Sequence, residues 1–259
     1  MVLAQCLDVG LMERSLIMNL KEIEYAGFRS WPALEESEVD GMVFRYSNGY
    51  TKRANSVNVL SQKNVNYSTL VAQCEEYFEG KGVPCIFRMP SFCDNKAFDT
   101  HLDGLGYKFQ GRSLVLYRSL EFSTFDRAEI VVKSCEEWMA SFCRINAVDV
   151  RNHHAHLEIL KRIKDKVLMV VLVEESVEVA CGIGVISNGY FGLFDLVTEK
   201  SARNKGYALK LLNGMLSWAV SNGATNAYLQ VVADNKPAIN LYTKLGYKPC
   251  YEYWYRIGR

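Results

Sequence analysis

The chain has 259 residues, 49% of them hydrophobic, and its 30 basic and 29 acidic side chains leave a formal net charge of +1. This composition excludes a disordered chain, which combines low hydrophobicity with high net charge. It also argues against a protein whose main task is binding nucleic acid, because no basic excess is available to neutralise phosphates. The length permits one large domain or two of roughly 120–130 residues.

The apolar runs and the eight cysteines predict a cytoplasmic protein that binds no membrane. No apolar run approaches the roughly 20 residues of a membrane span. Charged residues interrupt the N-terminal segment 1–20, so it lacks the uncharged stretch of a signal peptide. Whether Met1 or Met18 is the native start stays open. The cysteines contain no C-x-x-C pair and are interpreted as buried thiols in a reducing compartment.

In chain order, the first half alternates predicted helices with predicted strands. The helices are expected at 21–29, 69–78 and 97–105, and the strands at 42–45, 52–59, 85–89 and 108–118. The segment 120–126 is the expected linker to the second half.

The second half is predicted to be β-α-α-β-β-β-α-β-α-β. Strands are expected at 129–133, 167–173, 177–186, 190–197, 228–232 and 247–257. Helices are expected at 135–146, at 155–163, from about 204 to 222, and from a cap at Asp234 to about 246. Helices between strands predict an α/β fold in which a central mixed sheet is covered on both faces.

An internal repeat favours two domains. The tetrad L-G-Y-K occurs at Leu105 and again at Leu245, 140 positions later. Each copy follows a predicted strand and an asparagine, Asn95 or Asn235. The pattern predicts two copies of one strand–helix–strand unit, with domains at 1–122 and 123–259, although a chance match stays open.

The segment that begins at Leu196 carries the strongest chemical signal. A buried strand ends at Val197, and a short basic loop leads to Arg203-x-x-Gly206-x-Ala208 at the start of a long amphipathic helix. The first turn of a helix has free N–H groups and a partial positive charge, which favour an anion. A glycine allows a phosphate to approach those amides. The alternative is an ordinary basic helix start on a solvated surface.

At this point the sequence resembles a known family. The stretch from Val197 to Ala208, followed by Asn235-x-x-Ala238-x-x-Leu241-Tyr242-x-x-Leu245-Gly246-Tyr247, is similar to the GNAT superfamily of acetyl-coenzyme A-dependent N-acetyltransferases. The resemblance covers roughly 127–259. The first half resembles the degenerate copy of tandem GNAT proteins, with a weaker match at Trp31, at Phe44-Arg-x-x-x-Gly49 and at Arg53-Ala-Asn-Ser-Val.

The resemblance implies acetyl-CoA as co-substrate and assigns its contacts. The backbone of Leu196, Val197 and Thr198 would bind the pantetheine amides, and Asn235 would lie alongside the cofactor. The pyrophosphate would be held by the loop and first turn, that is by Arg203, Asn204, Lys205, Gly206, Tyr207 and Ala208.

Two catalytic residues are expected. An amine attacks the thioester as the neutral species, and the departing thiolate needs a proton, which Tyr242 could donate as general acid. The alternative for Tyr242 is a core tyrosine. Asp195 is the candidate general base, on the same strand face as Val197. A carboxylate hydrogen-bonded within the sheet, or a base acting through water, stays open.

The two halves differ at the positions that carry this chemistry. Aligning Gly106 with Gly246 places Leu102 where Tyr242 stands, and the first half has no R-x-x-G-x-A block. The first copy is therefore expected to bind no cofactor and to serve as scaffold, substrate wall or dimer surface.

The histidines at 153, 154 and 156 do not predict a metal site, since no cysteine or carboxylate cluster accompanies them. A solvated or substrate-facing helix is expected there, and in GNAT-like folds this region borders the acceptor site. The predicted function is transfer of an acetyl group to a primary amine of a small molecule or peptide, without nucleic acid or membrane partners. A homodimer is possible. An acyl-CoA-binding regulatory protein with little turnover is the alternative, and a longer acyl group stays open.

Overall fold

A computed structural model describes residues 20–61, 66–121, 123–126 and 128–258. Its strands form one mixed sheet of eleven strands in the order β1-β2-β3-β4-β11-β5-β10-β9-β8-β7-β6. The strands are β1 Glu35–Val39, β2 Met42–Tyr46, β3 Ser56–Val59, β4 Ile86–Pro90, β5 Lys108–Ser119, β6 Val131–Val132, β7 Lys166–Glu174, β8 Val177–Ser187, β9 Tyr190–Thr198, β10 Asn226–Val232 and β11 Lys248–Ile257.

Helices cover both faces of this sheet, which confirms the predicted fold class. They are α1 at 20–30, α2 Tyr67–Glu79, α3 Lys96–Gly104, α4 Cys135–Asn146, α5 His154–Lys161, α6 Tyr207–Ser221 and α7 Lys236–Lys244. In the second half, α4 and α5 pack with α1 over one face, and α6 and α7 pack over the other. Among the described residues, none of these helices is both long and apolar enough to span a bilayer.

Most predicted elements are present, and the differences have local causes. The predicted strand at 52–59 starts as a 3-10 turn, Lys52–Ala54, and becomes β-structure only at Ser56. Strand β1 was not predicted, because its five residues EESEV are all exposed and show no alternation. The cap of α7 is Asn235 rather than Asp234: its side chain accepts a hydrogen bond from the backbone N–H of Ala238.

The two halves exchange strands. β11, the last strand of the second half, pairs with both β4 and β5 of the first, and β5 in turn pairs with β10 of the second. β5 and β11 run antiparallel from the pair Lys108–Ile257 to the pair Tyr117–Lys248. Each half therefore donates its final strand to a position beside the other half, and the sheet is continuous across both.

The internal repeat is visible in the backbone. The N–H of Tyr107 donates to the carbonyl of Leu102 at 3.0 Å, and the N–H of Tyr247 donates to the carbonyl of Tyr242 at 3.1 Å. The intervening glycines both adopt the left-handed region, with φ of 84° and 81°. The alignment that places Leu102 opposite Tyr242 thus describes equivalent turns.

Helix α1 connects the halves on the face opposite α6 and α7. Arg29 Nε donates to Ser187 Oγ at 2.7 Å, and Tyr228 Oη donates to Ser30 Oγ at 3.2 Å. A buried ion pair also ties it to β4, where Arg88 Nη2 donates to Glu24 Oε1 at 2.9 Å. This helix of the first half therefore covers strands of the second.

Some predictions cannot be compared with the fold. The alternative starts Met1 and Met18, and residue 122 at the predicted domain boundary, lie outside the described residues. The described cysteines are seven free thiols, four of them buried.

Candidate active site

A groove opens where the parallel strands β9 and β10 separate. Their pairing runs from Tyr190–Asn226 to Leu193–Leu229 and stops there, although β9 continues to Thr198. β10 stays paired with β5 as far as Val232, and β9 stays paired with β8. The β9 backbone beyond Leu193 therefore has a free edge facing β10, available to a ligand that carries amide groups.

A cavity of about 810 Å³ lies beside this edge, between the ends of β9, α6 and α7. Such a volume falls in the range of cofactor sites. Most of the predicted site residues line it: Leu196, Val197, Thr198, Arg203, Asn204, Gly206, Tyr207, Ala208, Asn235 and Tyr242. Asp195 and Lys205 do not. Asn146 and Lys244 also line the cavity and were not predicted.

The start of α6 is open toward this cavity. Gly206 occupies the N-cap position with φ of 81°, and within the described chain no side chain caps the helix and no acidic residue lies in its first turn. A Cβ added at Gly206 would meet no described atom within 4 Å. The first-turn N–H groups and the positive end of the helix are therefore free to bind an anion.

A hydrogen bond from a side chain to the backbone holds the loop before α6. Arg203 Nε donates to the carbonyl oxygen of Thr198 at 3.3 Å, which ties the loop to the end of β9. Arg203 and Lys205 are both exposed and add positive charge around the helix start. The arrangement suits a strongly charged anion such as a diphosphate.

Tyr242 lies on α7 and lines the cavity with 9% of its surface exposed. Burial raises the pKa of its phenol to about 12. A phenol with this pKa keeps its proton at neutral pH and can donate a hydrogen bond. The neighbouring Tyr247 has its ring centre 6.0 Å away and is fully enclosed.

Asn235 has a structural role at the same cavity. Its side-chain oxygen accepts the hydrogen bond from Ala238 that caps α7, while the residue lines the cavity wall. It therefore fixes the start of the helix that carries Tyr242.

Asp195 lies at a β-bulge on the opposite face of the sheet. The β8–β9 register shifts between Cys181 and Ile183, and Asp195 has φ of 46°, which is uncommon for a residue with a side chain. Its Oδ2 lies 2.9 Å from Nε2 of His156. The angle at this contact departs from that of a hydrogen bond, and neither atom has another partner among the described residues.

The Asp195 carboxylate is only partly enclosed. Its Oδ2 is buried, yet a quarter of the side chain is exposed. One oxygen therefore faces His156, and the exposed part of the group remains accessible to a ligand.

His156 is fully buried, so of the two expectations for this helix, solvated or substrate-facing, the solvated one is wrong at this position. Aromatic rings of both halves surround it. Its ring centre lies 5.1 Å from that of Tyr50, 5.2 Å from that of Trp31 and 5.3 Å from that of Phe142. The imidazole is thus fixed in place by packing, with its Nε2 2.9 Å from Asp195 Oδ2.

His153 connects His156 to the first half. Its Nδ1 lies 3.4 Å from Nδ1 of His156 and 3.2 Å from the hydroxyl of Tyr50. Burial lowers the pKa of His153, an effect that the nearby His156 strengthens and Asp195 opposes. The part of the chain that is described holds no group of three or more metal-ligating side chains.

The first half also contributes residues: the weaker sequence match signalled Trp31 and Arg53, whereas Tyr50 lies outside that match. Trp31, Tyr50 and Arg53 reach the face of the bulge. The Trp31 ring stacks on Phe194 with ring centres 5.7 Å apart, and the Arg53 guanidinium lies 5.6 Å from both ring centres. The site is therefore built from both halves, with the cavity on one face and an aromatic cluster on the other.

Comparison with known families identifies relatives along most of the chain. Residues 18–256 match the family model described as "Probable histone acetyltransferase Rv0428c C-terminal". A curated relative from Bacillus subtilis (strain 168), the "Uncharacterized N-acetyltransferase YobR", is 26% identical over 249 residues, which is 93% of this chain and 99% of that protein.

Solved structures share the fold at low identity. The GCN5-related N-acetyltransferase from Kribbella flavida superposes with a TM-score of 0.66 and 14% identity, covering 91% of this chain and 94% of that chain. A tandem GNAT protein from the clavulanic acid biosynthesis pathway gives a TM-score of 0.59 and 11% identity, covering 78% of this chain and 73% of that chain.

Proposed function

Because the chain belongs to the Rv0428c C-terminal acetyltransferase family, it is a GNAT-type N-acetyltransferase, and we propose that it transfers an acetyl group from acetyl-CoA to a primary amine. The observation that carries this proposal is the cavity of about 810 Å³ that joins the open start of α6, the free edge of β9 and Tyr242. An anion site, an amide-binding edge and a proton donor thus line one continuous space.

The residues of the cavity fit acetyl-CoA. The first-turn amides of α6, with Arg203 and Lys205, would bind the diphosphate. The free β9 edge at 196–198 would pair with the amides of the pantetheine arm, as a further strand would. When bound, acetyl-CoA supplies the acetyl group as a thioester.

The transfer needs three proton movements. Asp195 would take a proton from the acceptor ammonium, directly or through water, so that the neutral amine nitrogen can form the C–N bond. As the C–S bond breaks, Tyr242 would donate its phenolic proton to the departing sulfur. The nitrogen would then release its second proton, through water, to the Tyr242 phenolate, which restores the phenol, and Asp195 would return its own proton to solvent. The pKa of Tyr242, raised by burial to about 12, leaves the phenol protonated before the reaction, as it would be in an unperturbed tyrosine, so the donor role rests on the place of Tyr242 in the cavity.

Direct transfer also requires the reactants to meet in line. Tyr242 lines the cavity on the α6–α7 face, whereas Asp195 contacts His156 on the α4–α5 face. The separation of β9 and β10 leaves an opening between these faces. Holding both reactants there would provide much of the rate acceleration.

Steady-state kinetics with a panel of primary amines tests this proposal. Tyr242→Phe removes the proton donor and should lower kcat by about 10- to 100-fold, with the KM for acetyl-CoA within a factor of about 3. CoA release with a thiol reagent gives the rate, and mass spectrometry identifies the acetylated amine.

Tyr247→Phe is the matched control. Its hydroxyl is buried and has no hydrogen-bond partner among the described residues, so its removal should leave kcat unchanged. Equal kcat for wild type and Tyr242→Phe would refute the acid role. Tight acetyl-CoA binding with no turnover on any amine would instead favour the alternative, an acyl-CoA-binding regulatory protein.

A further inference from the structure

A rigid loop of the first half, Ser47–Asn55, extends to the face of the Asp195 bulge. Asn55 is buried and holds the loop from within: its side-chain oxygen accepts from the N–H groups of Ser47 and Gly49, and its amide donates to the carbonyls of Tyr50 and Thr51. Four hydrogen bonds from one buried side chain fix the backbone that carries Tyr50.

The same loop stores backbone strain. Thr51 has φ of 59° and ψ of 135°, a combination that a β-branched residue rarely adopts. Such strain persists only where surrounding contacts enforce it, and it gathers at ligand-binding sites. Here the enforcing contacts are those of Asn55, and the loop then turns through Lys52–Ala54 and presents Arg53.

Arg53 is the unusual side chain of this loop. It is half-buried, and its guanidinium lies against the rings of Trp31 and Phe194. The fully buried arginines Arg45 and Arg88, by contrast, each have a carboxylate partner, Glu36 and Glu24 respectively. Within the described part of the chain, the Arg53 guanidinium has neither a carboxylate nor a hydrogen-bond acceptor. A partly desolvated cation without a counter-ion favours binding an anion.

We infer that Arg53 binds the carboxylate of the acceptor, so that the acceptor of the proposed transfer is an amino acid or an amine with a carboxylate close to its nitrogen. This inference rests on the proposed function. The planar guanidinium matches a carboxylate with two parallel hydrogen bonds.

The charges around the site are arranged for such a zwitterion. Phe194, whose ring contacts Arg53, is the residue before Asp195, so Arg53 approaches the bulge that carries the Asp195 carboxylate. The ammonium would face Asp195 and the carboxylate would face Arg53. A polyamine would place further positive charge near Arg53 and is disfavoured by repulsion.

This assignment also gives the first half a specific task. The second half supplies the cavity and Asp195, and the first half supplies the receptor for the second charged group of the acceptor. The acceptor site is then incomplete in either half alone.

The test compares amino acids with their amides, which retain the amine and side chain but lose the negative charge. The probes are alanine, phenylalanine, aspartate and lysine, each paired with its α-amide, and phosphoethanolamine as an amine with a different anion. For Arg53→Gln, the ratio of kcat/KM for acid over amide should fall at least 10-fold relative to wild type. Comparing ratios cancels the different basicity of the two amines.

Lys52→Gln is the matched control, because it removes one positive charge at the adjacent position. Lys52 already donates to Gln110 at 2.9 Å and should leave the ratio within about 3-fold. Arg53→Lys keeps the positive charge but loses the planar guanidinium that can form two parallel hydrogen bonds. It should give a ratio of acid to amide kcat/KM between those of wild type and Arg53→Gln. Its thermal unfolding, with that of Arg53→Gln, checks that the variants fold.

The outcomes separate the two proposals. An unchanged ratio in folded Arg53→Gln, or a wild type that acetylates amides as well as acids, overturns the carboxylate assignment while leaving the acetyltransferase intact. Preference for phosphoethanolamine that depends on Arg53 would overturn the choice of carboxylate over phosphate. A wild type that binds acetyl-CoA but acetylates no amine overturns the proposed function itself.

Discussion

The starts of α6 and α2 occupy equivalent places in the two halves, yet they are built differently. At α2, the Asn66 side chain accepts the N–H of Thr69 at 3.0 Å and so occupies part of the first turn. At α6, the N-cap is Gly206, and within the described chain no side chain takes this role. In the first half, a side chain of the protein caps the helix start and stabilises the helix. In the second half, the first-turn amides stay free to bind a ligand.

The next helix shows the same contrast. Leu102 of α3 and Tyr242 of α7 have the same place before equivalent turns, and both are buried. Strand β3 pairs with β2 without a register shift, whereas β9 pairs with β8 through the bulge at Asp195. The unit in the second half thus has an uncapped helix start at α6, the hydroxyl of Tyr242 and a bulge in β9. The unit in the first half has a capped helix start at α2, the aliphatic side chain of Leu102 and a regular strand β3.

The largest expected effect tests the contrast between the helix starts. Gly206→Asp places a carboxylate where the diphosphate would bind, and should weaken CoA binding by about 30- to 100-fold, the equivalent of losing one or two charge-assisted hydrogen bonds. Isothermal titration calorimetry with CoA measures the dissociation constant.

Two controls separate charge from strain and from location. Gly223, at the other end of α6, has φ of 87° and equally open surroundings, so Gly223→Asp carries the same backbone strain. Ser68→Asp adds a carboxylate to the first turn of α2. Neither should change CoA affinity by more than about 3-fold. Equal weakening by Ser68→Asp would contradict the proposal that the first half binds no cofactor.

The bulge gives the next largest effect. Asp195→Asn keeps the shape of the side chain but removes the base, and should lower kcat by about 10-fold or more. His156→Gln should act through the orientation of Asp195 and lower kcat by a smaller factor, with the KM for acetyl-CoA unchanged. Steady-state kinetics across pH 6 to 9 would measure both.

Asp165→Asn is the control for this pair. Its carboxylate lies 3.8 Å from Arg29, away from the bulge, and its loss should leave kcat within about 2-fold. An unchanged kcat in Asp195→Asn would show that the contact with His156 is only structural and that the base lies elsewhere.

The sequence predicted the second half well because its signals are local. A strand followed by a glycine at a helix start, and a tyrosine three positions before L-G-Y-K, locate most of the predicted cavity residues, whereas Asn146 and Lys244 carry no such signal. The contact between Asp195 and His156 spans 39 positions and depends on a bulge, which leaves no period in the sequence. The proposed role of Arg53 in binding the acceptor depends on how the first half packs against the second.

The strand exchange was equally beyond the sequence. Both L-G-Y-K turns are followed by strand-forming residues, and neither strand's sequence indicates whether it pairs with strands of its own half or of the other half. The reciprocal pairing of β5 with β11 satisfies the same backbone hydrogen bonds that pairing within one half would satisfy. Partner choice then depends on tertiary packing, which a single sequence does not reveal.

The smallest expected effect concerns pH and separates Tyr242 from an ordinary phenol. An unperturbed tyrosine has a pKa of about 10, so a rate that needs its proton would decline through pH 10. Burial raises the pKa of Tyr242 to about 12, and the proton should therefore be retained over the whole accessible range. We expect kcat at saturating substrates to stay within about 2-fold from pH 8 to about 10.5, measured by CoA release. A decline with a midpoint near 10, absent in Tyr242→Phe, would show that the cavity is more open to water during turnover than its enclosed phenol implies.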